Sequence, residues 1–278
     1  MHPLCATGHL SLRRDIVIAD RALVAALRSG RIVRVRRGVL ACDHADELEV
    51  QAAASGGAVT CTSVLATHGV WVAGSTGFHI QVPPTASRVG HQGTVHWGRP
   101  RFGMETPWRA SRLQSLWQAM HCLDEENALA AIESAIRLGF VDAAEVRMLV
   151  AHAPDRLRPW LRHLCHTSQS GNETVVRVRL QRVGYRVVSQ GAVPGMGHED
   201  LVIEDCVGLD VDGRRWHGED RFVIDRDRDL RVEGLGRSAL RIAAPHIWDS
   251  WPSTLAVIDR VVADALRERQ RRTGRSLG

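Results

Sequence analysis

His198-Glu199-Asp200-Leu201-Val202-Ile203-Glu204-Asp205-Cys206-Val207-Gly208-Leu209-Asp210-Val211-Asp212-Gly213-Arg214-Arg215-Trp216-His217 is the stretch on which the reading of this chain turns. Two apolar runs, residues 201–203 and 207–211, flank a polar turn, the pattern of a β-hairpin. Strands disfavour Asp, so acids set inside these strands point to a site that the strands serve. A turn about Asp205 puts Asp200 across from Asp210 and Val202 across from Gly208. Facing carboxylates repel. A divalent cation relieves the repulsion, and hard oxygen ligands suit Mg²⁺.

The surroundings of the hairpin form an ordered set. Gly171-Asn172-Glu173-Thr174 opens an arginine-rich helix that reads from 173 to 183, followed by a strand through Val188. Asp200 falls on the first hairpin strand and Asp210-Val211-Asp212-Gly213 on the second, with His217 after the glycine. Asp225-Arg226-Asp227-Arg228-Asp229 lies in a charged helix over 219–234, then come the strand Ser238-Ala239-Leu240-Arg241-Ile242 and an amphipathic helix over 253–272. In this order, residues 170–266 resemble the DNA endonuclease domain related to very-short-patch (Vsr) mismatch repair, within the restriction-endonuclease-like superfamily. An ordered set of this length is more specific than any one motif. The resemblance implies an α/β/α domain with a mixed sheet.

It also implies a metal site of Asp200 and Asp210 holding one Mg²⁺ or Mn²⁺, with Glu173 reaching it directly or through water. Family members usually carry Glu at the position of Asp210, and many wider relatives carry lysine at that of Asp212. This chain has no lysine, and arginine stays protonated and cannot serve as the base. Proton transfer then falls to His217, with an ordinary pKa near ~6.5, as in the mismatch-repair branch, whose zinc-binding Cys/His cluster has no counterpart among these residues. Asp212 becomes a further ligand or the group that orients His217. Arg226 and Arg228 would contact phosphate. A competing reading makes the acids a surface hairpin paired with nearby arginines.

At 278 residues the chain is long enough for two or three domains. No run approaches the ~20 apolar residues of a membrane span. The N-terminus lacks an apolar stretch behind a basic start, so a cytoplasmic, nucleoid-associated protein without a membrane partner is expected. Cysteines 5, 42, 61, 122, 165 and 206 are scattered, with no Cys-x-x-Cys pair, and read as reduced, mostly buried thiols. His163, Cys165 and His166 lie close in sequence, as do His121 and Cys122, but neither group makes a paired zinc set.

Positive charge collects at the beginning. Residues 1–42 hold Arg13, Arg14, Arg21, Arg28, Arg31, Arg34, Arg36 and Arg37 against Asp15 and Asp20, so 8 − 2 = +6. A basic end of this kind suits a polyanion, above all nucleic acid. Ser11 is expected to cap a short helix through Ile18, and Asp20 a second over 21–29, with Leu23, Val24 and Leu27 on one face. Val33 and Val35 alternate with Arg34 and Arg36 in a basic hairpin. The segment, with its Val35-Arg36-Arg37-Gly38-Val39-Leu40 run, resembles the N-terminal winged helix of AbiEi-type antitoxins. Arg21 and Arg28 would then approach the major groove, while Arg34, Arg36 and Arg37 contact phosphate.

Between these ends, residues 52–66 read as a helix, a glycine break and a second helix. His79-Ile80-Gln81-Val82 and Val95-His96-Trp97 read as strands, and 111–122, 125–138 and 142–151 as helices. This part resembles the central region of AbiEi-type proteins and reads as a spacer and partner-binding unit. The chain is thus expected to be α/β, a multidomain α+β protein: a winged helix over 1–42, a mixed middle domain over 43–168, and a restriction-endonuclease-like domain over 169–278. Two functions follow, a metal-dependent DNA endonuclease or a non-enzymatic AbiEi-type antitoxin and transcriptional regulator. Double-stranded DNA is the expected partner in both, with a toxin protein or a second copy of the chain beside it.

Overall fold

The computed structural model describes residues 9–16, 19–74, 77–87, 89–90, 93–195, 197–212, 234 and 236–275. The chain is mixed α/β with three sheets, one antiparallel and two mixed. It divides into two compact units, residues 1–123 with 140–154, and residues 124–139 with 155–278. Among the described residues no helix is long and apolar enough to cross a membrane.

The first unit begins with β1 (Leu10–Leu12), a 3-10 turn (Arg13–Asp15), α1 (Asp20–Arg28), β2 (Ile32–Arg36) and β3 (Val39–Cys42). The strands form an antiparallel sheet in the order β1-β3-β2. Its core packs Ile16, Leu23, Ala26, Ile32, Leu40 and Cys42, with Leu27 at the margin. Of the helix expected from Ser11 to Ile18, the described residues form only the 3-10 turn Arg13–Asp15. Leu10–Leu12 pairs instead with β3, Leu10 opposite Ala41 and Leu12 opposite Val39. Asp20 opens α1 without capping it, its carboxylate taking Arg13 Nη2 at 2.5 Å. Val24, expected on one face with Leu23 and Leu27, is exposed, and Ala26 is buried beside Leu23.

The same unit continues with α2 (Glu47–Ser55), β4 (Ala58–Val59), α3 (Cys61–Thr67), β5 (His79–Val82), β6 (Thr94–Trp97), β7 (Met104–Thr106), β8 (Arg109–Ala110), α4 (Arg112–Cys122) and α6 (Ala143–Ala151). The helix starts follow local rules. Asp46, Ser111 and Asp142 each accept a backbone N–H at the entrance of α2, α4 and α6. The five strands run in the order β6-β5-β4-β8-β7. Ile80, Val82, Val59, Val64 and Ala52 form the apolar layer beneath them.

The second unit holds α5 (Glu125–Arg137), α7 (Gly171–Arg182), β9 (Val187–Val193), β10 (Gly197–Ile203), β11 (Val207–Asp212), β12 (Ser238–Ala243), α8 (Ala244–Trp248) and α9 (Trp251–Arg275). The sheet runs β12-β11-β10-β9. β9, β10 and β11 are antiparallel neighbours, and β12 joins β11 in parallel. The hairpin register is the expected one, with Leu201 opposite Leu209 and Val202 opposite Gly208. Glu204 and Asp205 take left-handed backbone angles at the turn, which matches the twist of the strands they join.

This division cuts the chain elsewhere than the expected boundaries at 42/43 and 168/169. Helix α5 leaves the middle segment and joins the C-terminal unit. A buried ion pair explains why. Glu133 of α5 and Arg177 of α7 are 2% and 3% exposed, with Arg177 Nη2 2.6 Å from Glu133 Oε1. The same carboxylate accepts Cys165 N–H at 2.8 Å and the Thr174 hydroxyl at 2.6 Å. Helix α7 is itself closed at both ends. Ser170 caps its start, and Gly184, at φ 101°, ends it while Tyr185 N–H returns to Leu180 O. Glu133→Ala should therefore cost about 3–5 kcal/mol, because it strands a guanidinium without its carboxylate. Urea unfolding of that variant against the unaltered protein measures the loss.

Candidate functional site

The N-terminal turn of α7 carries Glu173, only 4% exposed. Burial, reinforced by the charge of Asp200, pushes its pKa up to about 7. Its Oε2 accepts Gln169 N–H at 2.8 Å and the Gln190 amide at 3.2 Å. Gln190 sits inside β9 at φ 56°, and its side chain also bonds Gln169 at 2.9 Å.

Asp200 and Asp210 meet across the β10–β11 hairpin, as the sequence predicts. Asp200 Oδ2 accepts Val211 N–H at 2.8 Å, and Asp210 Oδ1 lies 3.4 Å from Asp200 N. Arg241, in register with Asp210 on parallel β12, brings Nη2 to 3.4 Å from Asp210 Oδ2. Donors of the protein thus take up part of the charge that was assigned to a cation. Among the described residues Glu173, Asp200 and Asp210 do not gather as a three-ligand metal group. The donors suit Mg²⁺ or Mn²⁺ in kind.

Glu199, beside Asp200, was not singled out in the sequence. It is 2% exposed, and Arg237 Nη1 lies 2.5 Å from its Oε2. Its carboxylate fills the space above Gly208, where an added Cβ would fall 1.3 Å from Glu199 Oε1. A glycine in the central strand therefore makes room for a buried acid next to the acidic pair. His217, Arg226 and Arg228 lie outside the described residues, as do Asp225, Asp227, Asp229 and the side chain of Asp212.

In the first unit, Arg21 and Arg28 are exposed on α1, Arg34 and Arg36 on β2, and Arg37 in the turn before β3. Arg36 is partly engaged, its guanidinium lying 5.8 Å from the centre of the Trp108 ring. Arg21, Arg28, Arg34 and Arg37 present charge from the helix and hairpin that the sequence assigned to DNA.

Compared with known proteins, the chain matches no family model and no curated relative.

One constellation escaped the sequence reading. Cys61, His79, His96 and Cys122 turn one ligand atom each toward a common point, all four within 4.8 Å of one another. Cys122 had been paired in sequence with His121, which instead contacts Trp117 on its own helix. Successive members of the four stand 17 to 26 positions apart along the chain (96 − 79 = 17, 122 − 96 = 26), so no local spacing announces them.

Glu173 gives a pH signature to its unit. The unfolded carboxyl titrates near ~4.3 and the folded one at about 7. Between these values the folded chain holds a proton that the unfolded chain has lost, so stability falls as pH rises, by up to about 1.4 kcal/mol per unit. Glu173→Gln removes this titration. In Mg²⁺-free buffer its stability relative to the unaltered protein should increase from pH 5 to pH 8, measured by urea unfolding. Parallel profiles would contradict the assignment.

Proposed function

We propose that this chain is a DNA-binding protein whose C-terminal unit is of the endonuclease type, directed at phosphodiester bonds. The observation that carries the reading is the meeting of Asp200 and Asp210 on the β10–β11 hairpin, with buried Glu173 in electrostatic reach. The succession of α7, a three-strand meander and a parallel fourth strand supports it, because the resemblance to Vsr-like nucleases implies such a mixed sheet. Fold alone does not set activity; the acids and their neighbours bear the argument.

Each group has a part in that reading. Asp200 and Asp210 concentrate negative charge and hard oxygen donors. A Mg²⁺ or Mn²⁺ ion there would supply an acidified water and charge to offset that developing on phosphate. Glu173, near half protonation at neutral pH, can hold or release a proton at its carboxyl. Arg241 offers a fixed positive charge beside Asp210. His217 keeps its expected part in proton transfer, with Arg226 and Arg228 on phosphate. At the other end, Arg21 and Arg28 on α1 would face the groove, and Arg34 and Arg37 the backbone, with Arg36 partly held by Trp108.

A second reading, the AbiEi-type antitoxin or transcriptional regulator without catalysis, is favoured by two observations. Asp210 lies against Arg241, and the described acids do not gather as a metal group. A nuclease-like domain kept for contact alone would tolerate both.

Incubating the full chain with supercoiled plasmid and Mg²⁺ or Mn²⁺, beside a chelator control, separates the two. The endonuclease reading expects metal-dependent nicking that Asp200→Ala reduces to the chelator background while DNA binding stays intact. Equal nicking by that variant rejects the site, and no nicking on any substrate, with tight binding to DNA, favours the regulator. Arg34→Ala and Arg37→Ala should each weaken DNA binding across sequences and lower the log–log salt slope by about 0.9 for every phosphate no longer neutralised, as followed by fluorescence anisotropy.

A further inference from the structure

The four ligand-bearing residues come from four separate elements of the first unit. Cys61 is the first residue of α3, His79 the first of β5, His96 stands in β6, and Cys122 ends α4. Cys61 and His79 are buried, while His96 is half-buried and Cys122 exposed. His79 Nδ1 lies 3.1 Å from His96 Nε2, and Cys122 Sγ lies 3.9 Å from His79 Nδ1. Zinc bonds of about 2.0–2.1 Å to nitrogen and 2.3 Å to sulfur make a tetrahedron with edges of about 3.3–3.8 Å. The observed separations sit close to those edges.

We propose that Cys61, His79, His96 and Cys122 bind one Zn²⁺ as a closed structural site that ties α3, β5, β6 and α4 together. Two thiolates and two imidazoles are the soft and borderline donors that zinc takes in place of Mg²⁺ or Ca²⁺. Four protein ligands fill the tetrahedron and leave no place for a substrate water, which makes the site structural. His79 would ligate through Nδ1 and His96 through Nε2, the atoms that face each other. The half-exposed His96 and exposed Cys122 leave an entry path on one side.

The surroundings hold these elements in place. Gln81, two residues beyond His79 on β5, accepts from the amides of Gln114 at 3.3 Å and Gln118 at 2.9 Å, both on α4. Thr60, which precedes Cys61, bonds to Gln118, one helical turn before Cys122. Gln81 is also in parallel register with His96. A buried polar network therefore joins β5, α4 and the residue before α3, while strand pairing holds β6 to β5, and such support fixes ligand direction. A plain hydrogen-bonded cluster of thiols and imidazoles is the competing account, and it takes up no metal.

Metal analysis of the tag-free full-length protein, purified from zinc-replete medium under reducing conditions, tests the proposal. It expects one zinc per chain, retained by Cys165→Ser, a thiol of the other unit, and lost by Cys61→Ser and by the exposed-site variant Cys122→Ser. Cobalt exchanged into the unaltered protein should give the intense visible bands of a tetrahedral ion and a thiolate charge-transfer band, both missing from Cys122→Ser. Chelation should lower the melting temperature of the unaltered protein and leave folded Cys122→Ser unmoved. A folded protein that takes up no zinc or cobalt overturns the proposal, as does equal zinc in Cys122→Ser or a Cys61–Cys122 disulfide in protein kept reduced.

Discussion

The ion pair between Glu133 and Arg177 sets the frame of the C-terminal unit. Both side chains are almost wholly buried, a placement that charges tolerate only when paired and hydrogen-bonded. Glu133 satisfies that demand through its two oxygens: one takes the guanidinium and the N–H of Cys165, the other the Thr174 hydroxyl. Arg177 stands one helical turn beyond Glu173 on α7. The pair that draws α5 onto α7 therefore also fixes the helix that presents the buried acid of the candidate site. The raised pKa of Glu173 comes from its own burial on that helix.

Much of this could be read from residue order. The hairpin register followed from a polar turn between two apolar runs, and the turn residues adopt the angles that such a hairpin needs. Helices α4, α5 and α6 lie close to the spans 111–122, 125–138 and 142–151 read from the sequence. What the sequence could not show was long-range pairing. Leu10–Leu12 looks locally like the start of a helix, yet β3, well onward in the chain, recruits it as a strand. Glu133 looks like one more acid on an amphipathic helix until Arg177 arrives. The Cys61–His79–His96–Cys122 cluster has no spacing motif, because strand pairing and helix packing rather than a short loop bring it together.

The acids of the hairpin show how an expectation can hold in position and change in meaning. Repulsion between Asp200 and Asp210 was the reason to expect a cation. In the fold, Val211 N–H and Arg241 meet part of that charge, and the same sheet finds room for a third acid, Glu199, over Gly208. The unit thus concentrates carboxylates and supplies arginines to balance them, while the soft-ligand cluster lies in the other unit. Hard carboxylate donors and soft thiol and imidazole donors are in this way kept in separate units.

The exchange of α5 between units has a bearing on how the protein comes to be made. The chain builds most of its first unit, departs at residue 124 to lay down a helix of the second, and returns at 140 to finish the first. A ribosome delivers segments in order, so Glu133 emerges 44 residues before the arginine that neutralises it. During that interval α5 has no finished core to join. The two units are consequently not laid down one after the other, since the last segment of the first follows a helix of the second.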